Sequence, residues 1–506
     1  MTPGGRTLYL ARVDYEVPTE AIQIDAPHSR PRWRRAVDRV VDRLVAKRIA
    51  TVDAVVEVPT PLRPIDLSDD AEVTQVLELA ERVGEVVLSS GTAVTDTTTQ
   101  IEFIAATYGL ADVDIDVTYN AIRISADRGP NLPPASTMRV VQYRTLDFTR
   151  LAAVDRLTRR IRREIVPVED AHAALAELTS APHPYNRWVA TAGWALLAAS
   201  IGLLLGGGWL VAVCSCAATA AIDRTNRALN YRGLPTFFQA MVGGAIATVP
   251  AILLATLPHR IEANPSLIVA AGITVLLSGL QLVGAVEDAI TGAPITASAR
   301  MLEVLMVTGG IIAGVALALR GADLLHAGVP PIDINAGRTT ANLPIKVAAG
   351  AVGSLAFALA CYAERRALAA AAVSGGVATA FYLLTQRYGE VGPIFSSGVA
   401  ACVVGLAGGL MARRALTPPL VVAMAGITPL LPGLSVYRGL SALLNDQQSV
   451  GLSQLLAAFG VGCALAAGVT LGEWIARLLR RPRILNRVKN IRRPSVETGE
   501  FPIIRS

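Results

Sequence analysis

The sequence predicts an all-α polytopic membrane protein, with ten transmembrane helices as two five-helix repeats of inverted topology behind an N-terminal α/β cytoplasmic domain. Three observations predict it. Charge is depleted over one long stretch, the apolar runs there match bilayer thickness, and a ten-residue segment recurs 154 residues later.

The chain has 506 residues, 52% hydrophobic and only 17% charged, against roughly 25% charged in soluble domains. The depletion is uneven. Residues 1–187 carry 23 Lys and Arg and 27 Asp and Glu, residues 188–474 only 14 and 11, and residues 475–506 nine and two. The net charge of +6 is therefore mostly a property of the tail. No basic patch with interleaved aromatics accompanies it, which argues against a nucleic-acid partner. The five cysteines lie in apolar runs and fit no zinc template, so they read as buried small hydrophobes, and neither metal nor cofactor is expected. The first thirty residues lack the apolar core of a cleavable signal, which places the amino terminus in the cytoplasm.

A crossing of about 30 Å needs about 20 mostly apolar residues. Trp188 to Ile222 is one uncharged run of 35 residues, divisible at Gly206-Gly207-Gly208. Further spans fall near 236–257, 266–286, 301–319, 347–363, 367–386, 391–412, 415–437 and 449–474. With the amino terminus inside, Arg224, Arg227, Arg232, Arg300, Arg365, Arg366, Arg413, Arg414 and the basic tail lie inside, as the positive-inside rule asks. An even span count puts both termini in the cytoplasm.

Residues 271–280 read AGITVLLSGL and residues 425–434 read AGITPLLPGL, identical at eight of ten positions. They fall in the fourth and ninth spans. The repeating unit is therefore five spans, and an odd unit inserts with opposite topology, as in many secondary transporters. Pro429 and Pro432 stand where the first copy has Val275 and Ser278. Each proline removes an N–H and clashes with the preceding turn, so a broken span with an exposed half-helix amino terminus is expected, suited to a carboxylate.

The domain plan follows. Residues 1–67 form an extension with a basic amphipathic helix (Arg32 to Ala50) and a proline-rich linker. Residues 68–187 form the α/β domain, 188–319 the first repeat, 320–346 a loop, 347–474 the second repeat and 475–506 a basic tail. Inside the α/β domain the apolar spacing predicts helices over 69–89, 97–108, 148–164 and 168–179. Alternation predicts strands at 113–117, 122–125 and 138–143. The chain's three lysines, Lys47, Lys346 and Lys489, sit in no phosphate-binding loop, which disfavours ATP-driven transport.

At these residues the chain resembles the bacterial threonine/serine exporter family (ThrE). The resemblance rests on Leu88-Ser-Ser-Gly91, on Ile101 to Leu110 and Ile115 to Ser125, on Leu276 to Gly292, on Ala299 to Glu303, and on Pro429 to Tyr437, and runs from about residue 70 to 475. It implies a cytoplasmic-membrane exporter of small hydroxylated amino acids driven by the proton motive force, with bacterial localisation. The family usually carries Pro-Gly where this chain has Ser278-Gly279, whereas Pro432-Gly433 keeps the pattern.

A threonine zwitterion needs partners for its carboxylate, ammonium and hydroxyl. Helix-end N–H groups near Gly279 and Gly433, or Arg300, suit the first, Glu287 or Asp288 the second, and Thr274, Ser278, Gln281, Thr428 or Ser435 the hydroxyl, with Pro429 and Pro432 shaping the break. Intramembrane ionisable groups are functional candidates by default. Glu287, Asp288, Arg300 and Glu303 bracket one short loop and are assigned to proton coupling, with Asp223 a weaker member that also reads as an interfacial charge. The expected partners are a small amino acid, protons and the lipid bilayer, with a homo-oligomer left open. An enzyme is not expected: Ser278 and Ser435 sit in no hydrolase motif and no histidine falls clearly inside a span. A metabolite-gated channel or sensor is the alternative.

Overall fold

The computed structural model describes residues 65–141, 146–164, 166–256, 265–277, 279–324, 343–411, 418–444 and 446–480. The expected basic amphipathic helix, Ser278, most of the loop at 320–346 and the tail beyond residue 480 lie outside the described residues.

Helix α1 (Asp70–Ser89) starts where Asp69 accepts hydrogen bonds from the N–H groups of Ala71 and Glu72, satisfying donors that a helix start leaves unpaired. It ends ahead of Gly91, whose φ of +87° turns the chain in a conformation open to glycine. Helix α2 (Val94–Thr107) follows, and its N-cap residue Ala93 supplies no side-chain cap. Strands β1 (Val113–Val117), β2 (Ala121–Ala126) and β3 (Ala135–Val140) form an antiparallel sheet in chain order, with Ile115 opposite Ile124 and Ile122 opposite Arg139. The third strand begins three residues earlier than the alternation suggested, because pairing with β2 rather than hydrophobicity sets its ends. Ile122 and Ile124 pack with Val73, Leu77, Ile101 and Ile104 of the two helices. Helices α3 (Phe148–Arg163) and α4 (Val168–Ser180) complete this layer.

The remaining elements are helical: α5 (Arg187–Leu204), α6 (Trp209–Tyr231), α7 (Thr236–Thr256), α8 (Pro265–Thr274), α9 (Gly279–Ile290), α10 (Pro294–Leu324), α11 (Leu343–Ala360), α12 (Arg365–Tyr388), α13 (Pro393–Met411), α14 (Pro419–Ile427), α15 (Gly433–Leu444) and α16 (Gln448–Arg480). Among the described residues seven helices are long and apolar enough to cross a membrane, and up to nine if the bent pairs α8–α9 and α14–α15 each count as one span. The protein is a polytopic helical membrane protein. Helix α6 carries Asp223, Arg224 and Arg227 in its second half and is not among the seven.

The helix contacts repeat. The pairings α5–α6, α6–α7, α7–α10, α7–α8, α6–α8, α5–α8 and α9–α10 recur as α11–α12, α12–α13, α13–α16, α13–α14, α12–α14, α11–α14 and α15–α16. The first helices of the two sets, α5 and α11, cross antiparallel. A Cβ on Gly193 would meet Ala356 and Ala360, whereas one on Gly353 would meet Ser200 and Leu197, so positions rise along α5 as they fall along α11.

The α/β layer shares its core with the membrane helices. Its buried apolar residues are continuous with Leu197, Phe357, Cys361, Val421 and Met424. Phe148 N–H bonds the Cys361 carbonyl at 3.0 Å, Thr149 Oγ1 donates to the Tyr362 carbonyl, and Arg156 pairs with Glu364 at 2.7 Å. These contacts gather at the turn between α11 and α12 and at the start of α14.

Candidate functional site

The two copies of the repeated segment both break their helices. After α8 ends at Thr274 the chain turns through Val275–Leu277 and restarts at Gly279, bent by 50°. After α14 ends at Ile427 it makes a single tight turn, Thr428–Leu430, and restarts at Gly433, bent by 44°. Pro429 lies in that turn and Pro432 precedes α15, each where a missing N–H costs least. The first copy breaks without a proline.

The breaks touch each other. A Cβ on Gly279 would lie 3.0 Å from Leu431 Cβ and 3.3 Å from Gly433 N, and one on Gly433 would lie 2.8 Å from Leu277 Cβ. Leu431 and Gly433 stand 154 positions after Leu277 and Gly279, so each glycine meets the leucine of the other copy. No side chain larger than hydrogen fits at either glycine without displacing its neighbour.

Several polar groups lie within a few residues of this crossing along the chain. Ser435 and Val436 N–H groups both take the Pro432 carbonyl, which leaves the Gly433 and Leu434 N–H groups ahead of the helical ladder. Thr274 Oγ1 donates to Ala270 O at 2.5 Å and Thr428 Oγ1 to Met424 O at 2.8 Å. Both hydroxyls thereby keep lone pairs for an incoming donor. Gln281 Oε1 is buried with no hydrogen-bond partner among the described residues, an acceptor that a ligand can satisfy. Ser435 sits in the first turn of α15.

Two turns along α9 lies the charged group. Asp288 is fully buried and its Oδ2 pairs with Arg300 Nη1 at 3.0 Å, the guanidinium being 4% exposed. Asp288 Oδ1 accepts the Val94 N–H at 3.0 Å, and Arg300 Nη2 donates to the Thr92 carbonyl at 3.1 Å. The carboxylate thus caps α2, the helix whose own N-cap residue has no side-chain acceptor. Gly284, one turn before Asp288, makes room for the guanidinium: a Cβ there would lie 2.7 Å from Nη1. Glu303 accepts from Tyr119 OH at 2.7 Å. Glu287 lies beside Asp288, its carboxylate interacts electrostatically with Asp96, Asp288 and Arg300, and that carboxylate makes no hydrogen bond or ion pair among the described residues.

Asp223 stands apart from this group. It accepts from Thr191 Oγ1 at 2.6 Å and pairs with Arg227 at 3.0 Å. Glu287, Asp288, Arg300 and Glu303 do gather around one turn, and Gly279 and Gly433 meet. Thr92, Val94, Asp96 and Tyr119 escaped sequence reasoning, because two act through the backbone and all lie some 200 residues away in the chain. The helix expected over 97–108 starts three residues earlier, at Val94, and its uncapped start shows only in the structure.

Residues 78–321 match the family model for threonine/serine exporters, ThrE, and residues 346–475 match a second model, "Threonine/Serine exporter, ThrE". The "Threonine/serine exporter" of Corynebacterium glutamicum is 44% identical over 444 residues, covering 87% of this chain and 90% of that protein. The chain belongs to the threonine/serine exporter family. A second relative, the "Probable threonine/serine exporter" of Mycobacterium tuberculosis, is 40% identical over 420 residues, 81% of this chain and 78% of that one. No solved structure matches significantly. The first family model spans the α8–α9 break and the Asp288–Arg300 pair, and the second spans the α14–α15 break.

Proposed function

We propose that the chain is a secondary active exporter of threonine and serine, driven by the proton motive force and alternating access around the two broken helices. The reciprocal contact of the breaks at Gly279 and Gly433 carries this reading. Half-helix amino termini present N–H groups and a positive dipole end to a substrate carboxylate. Gln281, Thr274, Thr428 and Ser435 offer oxygens for the substrate's ammonium and hydroxyl. Ser278 belongs to the same segment of chain, and Pro429 and Pro432 hold the second break open.

Ten spans and inverted repeats are part of the proposal. The recurring helix contacts and the antiparallel α5–α11 crossing support it, since equivalent helices of inverted halves run in opposite directions. The contacts of the α/β layer fall at the α9–α10 and α11–α12 turns and the start of α14, ends that share one side of the bilayer in a ten-span count. That side is the cytoplasm, with both termini.

Proton coupling belongs to the group around Asp288. Glu287 is the carrier: its carboxylate sits beside charges of both signs yet makes no hydrogen bond or ion pair among the described residues, so its proton is free to exchange. Asp288 and Arg300 hold the α/β layer against the helix break, Glu303 reinforces that contact through Tyr119, and Asp223 performs a parallel task between α5 and α6. No cofactor is required.

Counterflow tests the substrate. Proteoliposomes loaded with unlabelled threonine should accumulate labelled threonine and serine transiently, and alanine far less. Absence of counterflow with every amino acid tried would overturn the reading.

A further inference from the structure

The α/β layer carries a half-open cavity of about 530 Å³ lined by α1, β3, α3 and α4, within the range of small-molecule sites. Its wall carries charges of both signs. Arg139 is occupied by Glu85 at 2.8 Å, but Arg82 has no hydrogen bond or ion pair among the described residues. Asp147 is 4% exposed. Its Oδ1 caps α3 through the Arg150 N–H at 3.0 Å. Its Oδ2 lies 3.3 Å from Arg150 Nε and 3.5 Å from His183 Nε2, yet accepts no aligned hydrogen bond.

A cavity that offers an unclaimed guanidinium and a buried carboxylate oxygen lacking an aligned donor asks for a ligand with an acceptor at one end and a donor at the other. We propose that this cavity is a regulatory binding site for a zwitterionic α-amino acid, its carboxylate on Arg82 and its ammonium on Asp147. The site is separate from the helix breaks. Its position gives it leverage on both attachments of the layer. Ser90, in its wall, stands two residues before Thr92, whose carbonyl holds Arg300. Asp147 caps the helix whose first N–H bonds the Cys361 carbonyl. An occupant therefore braces the α1 end and the α3 start against each other, and with them the α9–α10 and α11–α12 turns.

Hydrogen–deuterium exchange on the full chain in detergent tests this, with L-threonine as probe and lactate as a control lacking the ammonium. L-Threonine should slow exchange at residues 86–94 and 147–152, and Arg82→Gln should raise the concentration needed at least tenfold. Protection at 274–281 and 428–435 reports the transport site separately and should survive Arg82→Gln. No protection at 86–94 and 147–152, protection untouched by Arg82→Gln, or equal protection by lactate would overturn the proposal, whatever happens at the breaks.

Discussion

Asp288 and Glu287 are adjacent carboxylates with different surroundings, and that difference assigns their work. Asp288 is held by a guanidinium and a helix N–H, so its charge is structural. Removing Arg300 strands that buried charge, a loss of about 3–5 kcal/mol. Arg300→Ala should therefore lower the melting temperature sharply, and Arg300→Ala with Asp288→Asn should recover part of the loss. Glu287→Gln should leave stability unchanged and abolish the response of transport to a pH gradient while counterflow continues. Elsewhere, burial raises the Glu81 carboxyl above its ordinary value, against the Thr137 hydroxyl and Arg139 that lower it. The folded form thus favours the protonated acid, so this stabilisation is full below the ordinary pKa and lost as pH rises through the raised one. Thermal melts should show the advantage of Glu81→Gln over the parent chain growing from pH 4 to pH 7. The acids at the fourth span were legible in the sequence as costly charges near a membrane. The division of labour proposed for them was not, because it rests on Thr92 and Val94, which contribute only backbone atoms.

Among the elements, the two breaks set the strongest constraint. Gly433→Ala should cut export at least tenfold, since its Cβ would lie within 2.8 Å of Leu277 Cβ, and adding Leu277→Ala should restore much of it. Gly279→Ala with Leu431→Ala is the counterpart pair, and the two rescues should match if the contact is reciprocal. With the single variants Leu277→Ala and Leu431→Ala included, transport rates of the six variants read this as two double-mutant cycles. Most apolar helices were legible because bilayer thickness and uncharged length leave little freedom. The second break was legible from Pro429 and Pro432. The first was expected only by analogy with its copy, since Val275 and Leu276 carry no breaking signal of their own, and the residues that make it necessary lie 154 positions away. Asp69 caps α1 from the adjoining residue, whereas the cap of α2 comes from Asp288, 194 residues along the chain.

In the whole molecule, one apolar core runs from the sheet-facing helices into α5, α11 and α14, so the α/β layer cannot move without moving helix ends. A ten-span inverted fold makes a clear demand on topology. Single cysteines placed in a chain lacking Cys214, Cys216, Cys361, Cys402 and Cys463 should react with an impermeant thiol reagent from outside at positions 207, 390 and 447. They should react only from inside at 233, 292 and 364. The charge split in the sequence already separated the polar layer from the apolar helices, but the shared core was hidden, since composition records which residues are apolar and not what they touch. The most direct measurement of the whole account is threonine movement in proteoliposomes under an imposed proton gradient. Labelled threonine should accumulate against its own gradient on the more acidic side and stop when an uncoupler is added. Movement that only ever runs downhill and ignores the uncoupler would contradict it.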